Sequence, residues 1–182
     1  MNAVVLVDKN WGIGRKGLQI PSFAEDRKQF KLLTSSSKGC IRGYARIVVM
    51  GRKTFEGDLG GKPLKDRVNL VLTTRKDYIL NHKGIYAIKN PLDVFKIQKE
   101  CEVGDDLVWC IGGEEVYKRY FDYFDKVFVT KINAVYDCDR HFPVNLDDEN
   151  SGFRFSFGSD DDAWKVSEDT GILYQFRCYQ RI

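Results

Sequence analysis

No run of apolar residues in this sequence is long enough to cross a membrane. The opening stretch MNAVVLVDKN meets charge after five consecutive apolar residues, too few for a secretory core or a span. Charge of one sign is also scarce. Lys and Arg number 29 against 26 Asp and Glu, a net +3 with no basic block. That excludes a nucleic-acid footprint and leaves a mild attraction for small anions. Cysteine forms no pattern either. Cys40, Cys101, Cys110, Cys138 and Cys178 are odd in number and make neither a CxxC pair nor a Cys/His metal spacing. Cys110 sits in an apolar run and reads as core. This usage suits a reducing compartment, so a cytoplasmic protein without metal is expected. Repeats, linkers and low-complexity tracts are absent. With 182 residues and 43% hydrophobic content, one domain over 1–182 is expected, as a monomer.

What is present is an alternation of strand-like and helix-like segments. The runs at 3–7, 46–50, 68–74, 84–88, 106–113 and 126–132 read as strands, and the first is apolar throughout, as in a strand covered on both faces. Helices are predicted over 23–34, from Pro91 onward, and from Glu114. The segment WGIGRKGLQIP (11–21) reads as a long glycine-bearing loop, and 34–39 as a fraying helix end. FRFSF, WKVSE and ILYQFRCYQRI suggest an antiparallel edge at the C-terminal end. The class is α/β, a mostly parallel sheet with helices on both faces.

Within the predicted first helix, IPSFAEDRKQFK carries two adjacent acids that face different ways. Asp26 shares a face with Phe23, Phe30 and Leu33, whereas Glu25 lies with Lys28 and Gln29. Ser22-Phe23-Ala24-Glu25 has the capping-box spacing, which accounts for Glu25 and makes Ser22 the expected cap. Asp26 remains, a carboxylate on an apolar face. It is either paired with a structural partner or a functional acid whose partner is a ligand.

Two strand-to-helix junctions have phosphate-binding character. VVMGRKTF turns at Gly51 into a helix start with Arg52, Lys53 and Thr54, and WCIGGEEVY places Gly112 and Gly113 before another. Neither is a G-x-G-x-x-G fingerprint or a P-loop, and each alone is equally a tight turn. Together with Arg75 after a third strand, they suggest a ligand laid across strand ends.

In order and spacing, NWGIG, IPSFAEDRKQFK, VVMGRKTFE, LKDRVNLVLTTR, DLVWCIGGEEVY, DKVFVTKI and DRHFP resemble dihydrofolate reductases over nearly the whole chain. The resemblance implies a mixed eight-stranded sheet flanked by four helices, and NADPH-dependent reduction of dihydrofolate. It implies Asp26 as the catalytic acid, with Thr130 bridging to it. Substrate contacts would come from Val4, Phe30, Leu59, Arg67, Ile111 and Tyr117, with Arg67 gripping the glutamate carboxylate. The cofactor would be held by Leu6, Ile13, Gly51, Arg52, Lys53, Thr54, Thr73, Thr74, Arg75, Lys89, Gly112, Gly113, Glu114 and Val116. Plainer readings stand beside these: Arg67 as a surface partner of Asp66, Thr130 as a core hydroxyl, His141 as a loop residue, and Asp160–Asp162 as a solvated turn.

The chain also departs from the family pattern. Ser22 stands where tryptophan is usual, Leu6 where alanine is, Arg27 where an apolar residue is, and Glu114 and Glu115 add negative charge near the expected phosphates. These departures predict reduced sensitivity to trimethoprim-type antifolates. They leave open a same-fold reductase of another pterin or of a riboflavin-pathway pyrimidine, or an NADPH-binding module without turnover.

Overall fold

The computed structural model describes residues 1–35, 46–75, 78, 83–158 and 163–182. The acidic triplet 160–162, Cys40 and the polar stretch 36–39 lie outside the described residues. Strand β1 (Asn2–Val7) is buried at every position. Its alternate side chains enter different cores, as a two-sided strand must. Ala3, Val5 and Val7 pack in one cluster with Val94, Tyr117 and Tyr120, whereas Val4 packs on the other face with Phe55, Phe30 and Leu33. Helices therefore cover both faces. These are α1 (Ala24–Thr34) and α2 (Arg52–Gly57) on one side, and α3 (Asp93–Glu100) and α4 (Glu114–Tyr120) on the other.

The main sheet joins β1 to β4 (Arg46–Gly51), β5 (Arg67–Leu72), β6 (Tyr86–Ile88), β7 (Val108–Cys110), β8 (Lys126–Ile132), β10 (Phe153–Gly158) and β12 (Leu173–Arg181). Their order is β10-β12-β8-β1-β7-β4-β5-β6. Pairings from β8 through β6 are parallel, and those of β12 with β8 and β10 are antiparallel. A ninth strand, β11 (Lys165–Val166), pairs with β12 outside that path. The mostly parallel sheet with an antiparallel edge is as expected.

Three local readings need correction. The segment 11–21 is not a plain loop. β2 (Gly12–Arg15) and β3 (Leu18–Gln19) form a hairpin through Lys16 and Gly17, both at positive φ (50° and 83°), and β2 also pairs with β9 (Arg140–His141). Positive φ at both turn residues matches the twist of a two-residue hairpin. Strands this short show no alternation, and one partner is distant in sequence. His141 accordingly sits on a strand, exposed. The helix after Pro91 begins at Asp93, because the Asn90 side chain accepts the Leu92 amide at 3.0 Å and forms a turn first.

The third correction concerns the capping box, which does not form. Phe23 is the N-cap residue and gives no side-chain bond. Asp169 instead accepts the Ala24 amide at 3.0 Å and holds Arg27 at 3.1 Å, while Glu25 accepts the Glu168 amide at 2.9 Å. The Ser22 hydroxyl faces Arg27 at 3.4 Å. A carboxylate from a remote turn thus supplies what the local serine does not. Asp169→Ala should lower stability in urea unfolding by about 1–2 kcal/mol, the range of a lost N-terminal cap. Ser22→Ala should change it by less than about 0.5 kcal/mol.

Candidate active site

The parallel strands bring Leu6, Gly51, Leu72 and Ile111 to one edge of the sheet, where a cleft of about 880 Å³ opens. Such carboxyl edges are the usual place for a ligand in an α/β sheet. Helix α1 forms one wall. Its apolar face buries Phe23 completely and carries Asp26 inward, 8% exposed. Burial pushes the Asp26 carboxyl up from 3.8 to about 6, against a hydrogen bond from Thr130 and the charge of Arg27, both of which lower it. Thr130, on β8, is itself buried and lies behind the acid rather than on the cleft surface.

Arg67 is fixed at the far end of the same helix. Its Nη1 donates to Thr34 Oγ1 at 2.6 Å and its Nε to the Lys65 carbonyl at 3.0 Å, and its guanidinium lies 5.8 Å from the Phe30 ring centroid. Thr34 in turn donates to the Phe30 carbonyl at 2.7 Å. Desolvation lowers Arg67 below the usual guanidinium range, opposed by Asp66. The guanidinium is thus tied at two points and only half exposed. Phe30, Leu59 and Ile111 line the same cleft as Asp26 and Arg67. Tyr117 donates to the Val4 carbonyl at 2.7 Å, occupying one lone pair of a group expected to meet the ligand.

Past the ends of β4, β5 and β6 the lining becomes basic and hydroxylic, with Arg52, Lys53, Thr54, Thr73, Thr74 and Lys89. Two turns meet there with little room for side chains. The Gly51 amide donates to the Gly112 carbonyl at 2.8 Å. A Cβ on Gly113 would stand 3.2 Å from Thr54 Oγ1, and one on Gly51 3.1 Å from Val116 Cγ2. Gly112 has φ 109°, and its peptide to Gly113 is cis. Backbone is therefore what this part of the cleft presents. Leu6, Ile13 and Val116 supply its apolar lining.

Arg75 is not among the lining residues. Its Nη1 lies 3.9 Å from Glu56, which also pairs with Arg52. The negative charge expected of Glu114 is met by Lys118 at 2.9 Å and Arg140 at 3.5 Å. Arg140 and Asp58 line the cleft without having been singled out in the sequence. Asp58 accepts the Gln19 amide at 3.0 Å, and burial raises its carboxyl while that bond lowers it. Neither residue had a periodic signal, because one sits in a polar turn and the other on a two-residue strand.

The dihydrofolate reductase family model matches residues 1–181. The chain is 34% identical over 188 residues to the viral dihydrofolate reductase of Saimiriine herpesvirus 2 (strain 488), spanning 100% of this chain and 85% of that one. To the Sus scrofa dihydrofolate reductase it is 32% identical over 189 residues, spanning 100% and 97%. Among solved structures, dihydrofolate reductase from Enterococcus faecalis complexed with NADP(H) and RAB-propyl superposes with a TM-score of 0.76 at 25% identity, covering 99% of this chain and 95% of that one. In length, order of elements and sequence, the chain belongs to the dihydrofolate reductase family.

Proposed function

We propose that this chain reduces 7,8-dihydrofolate to 5,6,7,8-tetrahydrofolate, consuming NADPH and one proton. The observation that carries this reading is Asp26, a buried carboxyl poised at about 6 on an apolar wall, with Arg67 fixed further along the same helix. A pterin has an amino-pyrimidine edge that offers two donors to one carboxylate. The benzoyl ring of dihydrofolate suits the apolar lining that Phe30, Leu59 and Ile111 give the cleft, and the terminal carboxylate of its glutamate suits a guanidinium fork, which lysine serves poorly. Membership of the family and the NADP(H) complex of the Enterococcus faecalis relative support the same reading.

The basic half of the cleft fits NADPH. Arg52, Lys53, Thr54 and Thr74 provide cations and hydroxyl donors for its phosphates, and the Gly51 and Gly112-Gly113 turns let it lie against backbone. Bound NADPH supplies the hydride. The protein's own contribution is to hold the pterin flat against β1, to keep bulk water off with Leu6 and Ile13, and to hold a proton at Asp26. At neutral pH a carboxyl near 6 is largely ionised, yet it protonates readily enough to serve proton delivery to the substrate.

The same shift sets the sign of a stability effect. A carboxyl whose folded value lies above 3.8 favours the folded state only while protonated, so its ionisation costs stability as pH rises from about 4 through about 6. Asp26→Asn should therefore raise the ligand-free melting temperature at pH 7.5, by up to about 3 kcal/mol in unfolding free energy. The gain should vanish near pH 4. The same variant should lose turnover on the order of 10²–10⁴-fold while still binding NADPH. Glu25→Gln should keep its turnover. Full activity in Asp26→Asn, or equal loss in both variants, would show the acid is misassigned.

Cofactor choice follows from Arg52. Its pairing with Glu56 must yield to a 2′-phosphate, and a charge-assisted contact is worth on the order of 1.5–3 kcal/mol. NADPH should bind at least about tenfold more tightly than NADH by fluorescence titration. Equal affinities would rule out a 2′-phosphate contact.

Inhibitor fit follows from Ser22 and Leu6, both on the cleft surface. Serine leaves space beside Asp26 that an indole would fill, and leucine adds bulk on the sheet side. Trimethoprim-type diaminopyrimidines should inhibit weakly while dihydrofolate turnover persists, because Arg67 anchors the substrate independently of its ring. Ser22→Trp is a usable test, since the serine does not cap α1. It should tighten inhibition, as should Leu6→Ala, and inhibition unchanged in both would refute the pocket-shape account.

A further inference from the structure

Glu114 opens α4 directly after Gly113, and its side chain lines the cleft at 15% exposure. If NADPH lies against the Gly112-Gly113 turn, as proposed above, this carboxylate faces the cofactor's diphosphate. Like charges brought together in a partly dry cleft repel strongly. Two cations flank the acid, and they are not equivalent. Lys118 holds Oε1 at 2.9 Å from one turn along the same helix, and it also reaches Glu115 at 3.6 Å. Such an i,i+4 pair forms on many solvated helices. Arg140 holds Oε2 at 3.5 Å from a different element. It sits on β9, opposite Gly14 of β2, so its guanidinium reaches from the small sheet to α4. Both of its ends line the cleft. Asp139 lies 4.0 Å from Arg140 Nε and leaves Nη1 to Glu114.

We infer that Arg140 is a positioning residue for the cofactor, holding the Glu114 carboxylate aside from the diphosphate of NADPH. The inference rests on the function proposed above and adds a residue outside the expected cofactor set. It differs from simple charge addition. A cation that only adds positive potential costs the same affinity when removed, whether or not residue 114 is charged. A cation that holds a carboxylate matters only while there is a carboxylate to hold.

The test is a double-mutant cycle of wild type, Arg140→Gln, Glu114→Gln and the double variant, read as dissociation constants by quenching of tryptophan fluorescence. NADPH is one probe. The other is 2′-AMP, which has the 2′-phosphate but no diphosphate. Arg140 is half exposed, so Arg140→Gln should fold, and thermal melts within a few degrees of wild type confirm it. Arg140→Gln should weaken NADPH about tenfold, as for one charge-assisted contact, and leave 2′-AMP unchanged. In the Glu114→Gln background the same substitution should cost about threefold or less. Equal losses in both backgrounds, no loss of NADPH affinity, or an equal loss of 2′-AMP would each overturn the inference alone. A wild-type chain that binds 2′-AMP but no NADPH would overturn it together with the proposed function.

Discussion

Keeping water from one carboxyl group is the constraint on which the site depends. Asp26 stays near 6 only while α1 remains pressed against the sheet, and three separate ties hold it there. At the N-terminal end, Asp169 takes the first helical amide and Glu25 takes the amide of Glu168. Behind the acid, Thr130 bonds it from β8. At the C-terminal end, Thr34 bonds back to Phe30 and receives Arg67. Loosening the helix at either end would let water reach the carboxyl and return it toward its ordinary value, whereas the Thr130 bond works the other way and lowers it.

The same ties make α1 a spacer between two ligand-facing groups. Asp26 and Thr34 are separated by two turns, about 12 Å of helical rise, and Arg67 is fixed to the second of them. The separation of acid and guanidinium is therefore set by backbone geometry and not by side-chain choice. That suits a ligand with a rigid ring at one end and a carboxylate at the other.

The basic half of the cleft works differently, by compensated charge. Glu56 is shared by Arg52 and Arg75, and Glu114 by Lys118 and Arg140. Each acid keeps cations oriented, and each is a group that an anionic ligand must displace or avoid. The apolar half has a fixed shape. The charged half has contacts that exchange.

Sequence alone determined the features that depend on local periodicity. The uninterrupted apolar run of β1 read as a strand covered on both faces, and the helical phase placed Asp26 on the apolar side of α1, apart from Glu25. Glycine and basic residues at the ends of β4 and β7 marked two turns that line the cleft, though not Arg75. Only tertiary structure decided what depends on partners far along the chain. Ser22 and Glu25 have the spacing of a capping box, but Asp169 arrives with a full negative charge and takes the helix end. The hairpin at 12–19 needed a partner at Arg140 and His141 to become a sheet, and that pairing carries Arg140 to Glu114. Periodicity reports which face a residue occupies within its own element. Which charge meets which, across more than a hundred residues of chain, is fixed only when the elements pack.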